Sequence, residues 1–229
     1  MRKTDLRERR KCPVGRAAYG AAIAFVGVLL MSSSQAWAGA PTDQLKASVD
    51  QVIRILEDPT LKSESRKQER RAAIRKHADS IFDFEETAKR ALGPHWQNLS
   101  TTDKQEFVSL FADLLERSYI AKIDRYSGEK TAYAGDSIDG DLATVKTRFT
   151  TKQGTEVAVD YRMLHRGDRW LVYDVVVEGV SLVNNYRTQF NNVIQTTSYQ
   201  ELVAKMKNSE FNPPGGSDAP RAKDKTPRS

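Results

Sequence analysis

The stretch VYDVVVEGVSLVNNYRTQFNNVIQ, residues 172–195, changes its period partway along, and that change decides the fold. Val172 to Val177 is a solid apolar run, as expected of a strand covered on both faces. Gly179 breaks it. Ser181 then stands at an N-cap position, and Leu182, Val183, Tyr186, Phe190, Val193 and Ile194 recur at helical intervals. The passage reads as a last strand feeding a helix. Upstream lie "TAYAGDSI", "LATVKTRFT" and "TEVAVDYRML", separated by "DGD", "KQG" and "HRGD" turn signals, before the strand "DRWLVYDVVVEG". Val145, Thr147 and Phe149 share one face while Lys146 and Arg148 take the other; Val157, Val159 and Tyr161 oppose Glu156, Ala158, Asp160 and Arg162. The pattern predicts an antiparallel meander of about four strands with one wet face.

Before the sheet the period is close to 3.6. Leu45, Val49, Val52, Ile53 and Leu56 mark a helix from Pro41 to about Glu57, ended by Asp58-Pro59. Ser63 to Lys76 is charged and reads as a solvated helix with little to anchor function. Ile81, Phe82, Phe84, Ala88 and Leu92 form the next apolar set, stopped at Gly93-Pro94. Ser100 with Asp103 has capping-box spacing ahead of a long helix whose broad apolar face carries Phe107, Leu110, Phe111, Leu114, Leu115, Tyr119 and Ile123. Ser198 with Glu201 opens a short closing helix bearing Leu202 and Met206. Helices first, sheet later and helices again predict an α+β fold.

The N-terminus combines a basic leader, an apolar stretch from Ala17 to Met31 and an Ala36-Trp37-Ala38 site, the signature of a cleaved secretory signal peptide over residues 1–38. At fifteen residues the apolar stretch is short for a membrane span of about 20. Residues 1–38 hold seven Lys/Arg against two Asp/Glu, five of the chain's six net positive charges, so no broad nucleic-acid footprint belongs to the mature chain. Cys12, the single cysteine, precedes the apolar stretch; a disulfide scaffold and a cysteine nucleophile are both excluded from the mature protein. About 190 residues remain, enough for a core without staples. One domain is expected over 39–208, followed by a Pro-, Gly- and charge-rich disordered tail over 209–229. Export from a bacterial-type leader implies the periplasm.

Catalytic and metal-binding motifs are thin. His77, His95 and His165 sit in no metal or acid–base motif; His165 reads as a turn residue and His95 as a local structural one. "GVSLV" resembles half a nucleophile elbow, but Val183 stands where the second glycine belongs, so Ser181 reads as a cap rather than a catalyst. Asp160 and Asp174 on neighbouring strands, or Asp83, Glu85 and Glu86, leave a small isomerase or dehydratase as an alternative; Asp174 can equally pair with Arg162 or Arg169. No metal site, cofactor or catalytic residue is expected. By composition alone the large apolar residues make a packed core by default, with a ligand cavity the exception.

"DSIFDFEETAKRALGPHWQNLSTTDKQEFVSLFADLLERSY", "WLVYDVVVEGVSLVNNYRTQF" and "SYQELVAKMK" closely resemble the MlaC family, also called the toluene-tolerance auxiliary family, over roughly Pro41 to Lys207. The resemblance implies a monomeric periplasmic carrier that holds phospholipid in an apolar cavity between sheet and helices. It implies two partners: an outer-membrane lipoprotein complex and the inner-membrane MCE-domain protein of an ABC transporter. Some relatives are associated with hopanoids, the alternative cargo. On this reading acyl chains rest on Val145, Phe149, Val159, Tyr161, Val175 and Val177 from the sheet and on Phe82, Phe84, Phe107, Phe111, Tyr119, Tyr186 and Phe190 from the helices, with the headgroup at the mouth in solvent.

Overall fold

The structure is a computed structural model and describes residues 41–211; the expected signal peptide and nearly all of the expected tail lie outside the described residues. Four helices come first: α1 (Pro41–Glu57), α2 (Lys67–Ile81), α3 (Phe84–Leu92) and α4 (Thr101–Ile123). The chain then forms β1 (Lys130–Asp139), β2 (Leu142–Thr150), β3 (Glu156–Arg166), β4 (Arg169–Val177) and β5 (Val180–Ser181), and closes with α5 (Leu182–Thr196) and α6 (Tyr199–Lys207). The sheet is antiparallel, in the order β1-β2-β3-β4-β5. The α+β fold expected from the change of period is the one observed.

Side-chain oxygens cap the helices where the sequence places them. Ser100 Oγ accepts from the Asp103 amide at 3.1 Å and donates to the Asp103 carboxylate at 2.6 Å. Ser198 Oγ accepts from the Glu201 amide. Asp83 caps α3 by accepting from the Glu86 amide, and this cap divides what the apolar spacing joins: α2 stops at Ile81, and the Asp83 amide donates to Val172 O of β4.

Five strands rather than about four are present, and the fifth comes from backbone geometry. Glu178 (φ 48°) and Gly179 (φ 79°) both lie in the left-handed region, which a two-residue hairpin turn of the primed kind requires. The chain therefore folds back so that Val180 pairs with Val177 before the helix begins. Glu178 is a costly residue for that conformation; its amide donates to Ala158 O and its carboxylate accepts from the Ala158 amide, which holds it there.

A second irregularity sets the phase of β4. Met163 pairs with Val172 and Arg162 with Asp174, so Tyr173 is an extra residue, a β-bulge. Side chains alternate by residue along a regular strand, and the extra residue resets the alternation. Val172 below the bulge and Val175 and Val177 above it consequently share the inner face, while Tyr173 and Asp174 turn to the helices.

The buried apolar residues fall into two clusters. One is helical, built from α3, α4, α5 and α6 around Phe107, Phe111, Tyr186 and Phe190. The other joins α1 to the inner face of the sheet through Leu45, Ala143, Val145, Met163, Trp170 and Val172.

Candidate functional site

Above the second cluster the protein's own side chains stop short of filling the interior. A cavity of about 830 Å³ lies between α1, α2, the C-terminal half of α4 and the inner face of the sheet. That is large among small-molecule sites, which run from about 300 to 1,000 Å³. The α1 helix supplies a stripe of Leu45, Val49, Val52, Ile53 and Leu56; α2 supplies Ile74 and Ala78; and α4 supplies Ala112, Leu115, Tyr119, Ile120 and Ile123. From Leu45 to Leu56 the α1 stripe extends about 16 Å at 1.5 Å per residue. Leu45 and Val172 are almost wholly buried at one end; Lys122 and Arg125 are exposed at the other, which marks the mouth.

The sequence-predicted residues divide cleanly. Phe82, Phe84, Tyr119, Phe149, Val159, Tyr161, Val175 and Val177 all line the cavity. Phe82 and Phe84 stack with ring centroids 5.6 Å apart at the junction of α2 and α3. Val145 is on the same sheet face but lies beneath Leu45 in the closed cluster. Phe107, Phe111, Tyr186 and Phe190 are not in the lining. They form the helical cluster, with Phe111 edge-on to Tyr186 and to Phe190 at 5.2 Å each and Phe107 edge-on to Phe190 at 5.6 Å.

The reason lies in α4, which is apolar on two sides. Phe107, Phe111 and Leu114 form one stripe towards α5 and α6; Ala112, Leu115, Tyr119 and Ile123 form another towards the cavity. One broad face in the sequence is two faces in space. The α1 stripe was visible as a helix but not as a wall of the site, because nothing in its spacing distinguishes packing from lining. The charged stretch leading into α2 also contributes more than a solvated face. Its Arg75 lines the cavity flank and binds Asp79 at 3.1 Å, Asp113 at 3.0 Å and Glu116 at 2.5 Å. Burial alone would lower the Arg75 pKa, but hydrogen bonds to Glu116, Asp113 and Asp79 carry it upward.

Phenols in the wall stay neutral. Burial, with Tyr186 nearby, pushes Tyr119 well above the usual tyrosine range, and burial beside Tyr133 does the same to Tyr161.

Three of the carboxylates weighed for acid–base chemistry, Asp174, Asp83 and Glu86, serve as anchors outside the cavity. Asp174 is buried; it accepts from Ser181 Oγ at 2.6 Å, from the Val183 amide at 3.0 Å and from Arg162 Nη1 at 3.2 Å. Ser181 Oγ in turn accepts from the Asn184 amide at 3.0 Å, so the serine caps α5 while Asp174 ties that cap to β4. Asp83 caps α3, and Glu86 is paired with Arg90 at 2.8 Å. His95 Nε2 meets Asn191 Oδ1 at 3.0 Å, and His77 Nε2 donates to Ser48 O at 2.9 Å, joining α2 to α1. His165 lies in β3 rather than in the turn, its ring edge-on to Trp170 at 4.8 Å. Among the described residues no group of three or more His, Cys, Asp or Glu is placed to hold a metal.

Fold and site together define an α+β binding domain: a sheet and three helices arranged around an apolar cavity with a charged mouth. The profile of the family described as "MlaC protein" matches residues 46–208, and the chain belongs to that family. It is 23% identical over 148 residues, covering 62% of this chain and 69% of its relative, to the intermembrane phospholipid transport system binding protein MlaC of Haemophilus influenzae. Among solved structures it is similar to a phospholipid-binding protein from Ralstonia solanacearum in complex with a phospholipid. That likeness has a TM-score of 0.67 and 25% identity, and covers 75% of this chain and 97% of the other.

Proposed function

We propose that this protein is a periplasmic phospholipid carrier, not an enzyme: it shields acyl chains in the cavity while the lipid crosses between the two membranes. The observation that carries this reading is the 830 Å³ cavity, walled by aliphatic and aromatic side chains from three helices and the sheet. Transfer of acyl chain from water into such a wall is worth about 0.8 kcal/mol per methylene. A cavity of this kind needs no covalent chemistry to hold its cargo. The H. influenzae relative's role in intermembrane phospholipid transport and the lipid bound to the R. solanacearum protein support the same reading. On it, residues 1–38 direct export, and the carrier exchanges cargo with an outer-membrane lipoprotein complex and with the inner-membrane MCE-domain protein of an ABC transporter.

Lipid extraction and native mass spectrometry of the purified protein test the proposal directly. Stoichiometric glycerophospholipid is the expected result; a hopanoid would redefine the cargo, and no lipid would overturn the reading. Val52→Trp and Val175→Trp, which project bulk into the cavity, should lower bound lipid while the fold is kept. Unchanged stoichiometry in both would remove the cavity from the mechanism.

A further inference from the structure

We propose that Lys122 and Arg125 form an anion subsite at the cavity mouth that takes the phosphate of the bound lipid. The inference rests on the carrier reading and adds a named contact for the headgroup. Both residues border the cavity, at the end of α4 and in the turn that follows, and both are exposed there while the lining behind them is apolar.

The other arginines of this region are committed to acids. Arg75 is held by three carboxylates, and Arg70 and Arg71 share Asp124 at 3.1 and 2.7 Å. Lys122 and Arg125 make no ion pair with any described residue. Arg125 Nε donates to Ala121 O at 3.0 Å, which fixes the guanidinium and leaves its terminal N–H groups for an incoming oxyanion. Lys122 Nζ stands 5.4 Å from the ring centroid of Tyr119, itself part of the wall, so the ammonium is held over the cavity's edge. Glu129, the carboxylate bordering the same mouth, is turned onto its own loop by bonds from the Ser127 amide at 2.8 Å and Ser127 Oγ at 2.9 Å. An amphiphile whose chains lie along α1 therefore brings its first charged group level with two available cations. A purely structural alternative is that both cations only offset the negative end of the α4 dipole.

The two roles separate in an exchange experiment. The purified protein is incubated with vesicles of digalactosyldiacylglycerol, a bilayer lipid without phosphate, doped with either dioleoylphosphatidylglycerol or dioleoylglycerol, repurified, and its bound dopant extracted and counted. The two dopants share their chains and differ in the phosphoglycerol headgroup, which carries the only charge. Lys122→Gln/Arg125→Gln should lower phosphatidylglycerol occupancy about fivefold, as two screened contacts would, and leave dioleoylglycerol occupancy unchanged. Charge reversal with Lys122→Glu/Arg125→Glu should lower it further. Inorganic phosphate at millimolar concentration should not compete, because the free anion lacks the chains. Equal loss of both dopants, or no loss of phosphatidylglycerol, overturns the subsite; single Gln substitutions serve if the reversed pair does not fold. A wild-type protein that takes up neither dopant would instead sink the carrier reading itself.

Discussion

Two apolar regions of one chain, drawing on similar residues, end in opposite states. The helical cluster closes on itself: Phe107, Phe111, Tyr186 and Phe190 meet edge-to-face, and Leu202 and Met206 of α6 complete the seal. The region between α1, α2 and the sheet stays open along the α1 stripe, where Val49, Val52, Ile53 and Leu56 are only half-buried. The difference is one of shape rather than hydrophobicity. Flat rings from facing helices interlock, whereas the sheet's valines and the short branched chains of α1 do not reach across, and the sheet's rings, Phe149 and Tyr161, line the gap without closing it. One half of the domain therefore supplies stability and the other tolerates a guest.

That division predicts an order of mutational costs. Phe190→Ala should have the largest effect, about 4 kcal/mol of unfolding free energy in urea titrations, because the surrounding rings cannot collapse into the gap. A loss below about 1 kcal/mol would place that ring in a loose region and erase the contrast. Next comes Asp124→Asn, about 2–3 kcal/mol, since it leaves the mostly buried Arg70 without its carboxylate. The same group sets an acid limit. Burial would raise the Asp124 pKa, but hydrogen bonds from Arg71 and Arg70 hold it below the ordinary value of 3.8. Its contribution is therefore full above about pH 4 and is lost as the pH falls through the lower folded value. Melting temperature should hold steady down to about pH 5 and drop below pH 4, less steeply in Asp124→Asn. Ser181→Ala should cost about 1 kcal/mol through the lost cap on α5 and leave bound lipid intact; loss of lipid without loss of stability would give the serine a place in the site. Smallest is Val52→Ala, under about 1 kcal/mol, because it enlarges an existing cavity instead of creating one. A cost equal to that of Phe190→Ala would mean the α1 stripe is core.

Much of the fold was legible in the sequence because it is carried by period. The switch near Ser127-Gly128 from a helical to an alternating pattern separates helices from sheet, and the serines at 100, 181 and 198 mark helix starts that the structure places there. The cavity was legible only in part. Phe149, Val159, Tyr161, Val175 and Val177 follow from the alternation once the inner face is known. Phe107 and Phe111 do not separate from Leu115 and Tyr119 by spacing alone, since a helix of 23 residues with apolar groups on two sides shows one broad stripe. Which stripe meets rings and which meets open space depends on α5 and α1, far away in the chain.

The bulge at Tyr173 carries a consequence for how such a chain can change length. Above and below it, β4 keeps the same face inward only because one residue is counted twice in the ladder. Deleting one residue above the bulge, such as Val176, turns the end of the strand around, sending Val177 to the face packed by α3 and α5 and drawing Glu178 towards the cavity. Deleting Tyr173 itself only restores the regular alternation, with Val175 and Val177 still inward. The Lys152-Gln153-Gly154 turn, by contrast, can gain or lose residues without touching either face. Insertions and deletions among related sequences should gather at that turn, tolerate a single-residue gap at the bulge and be absent from Val175 to Val177, a gap pattern that marks where length itself is under constraint.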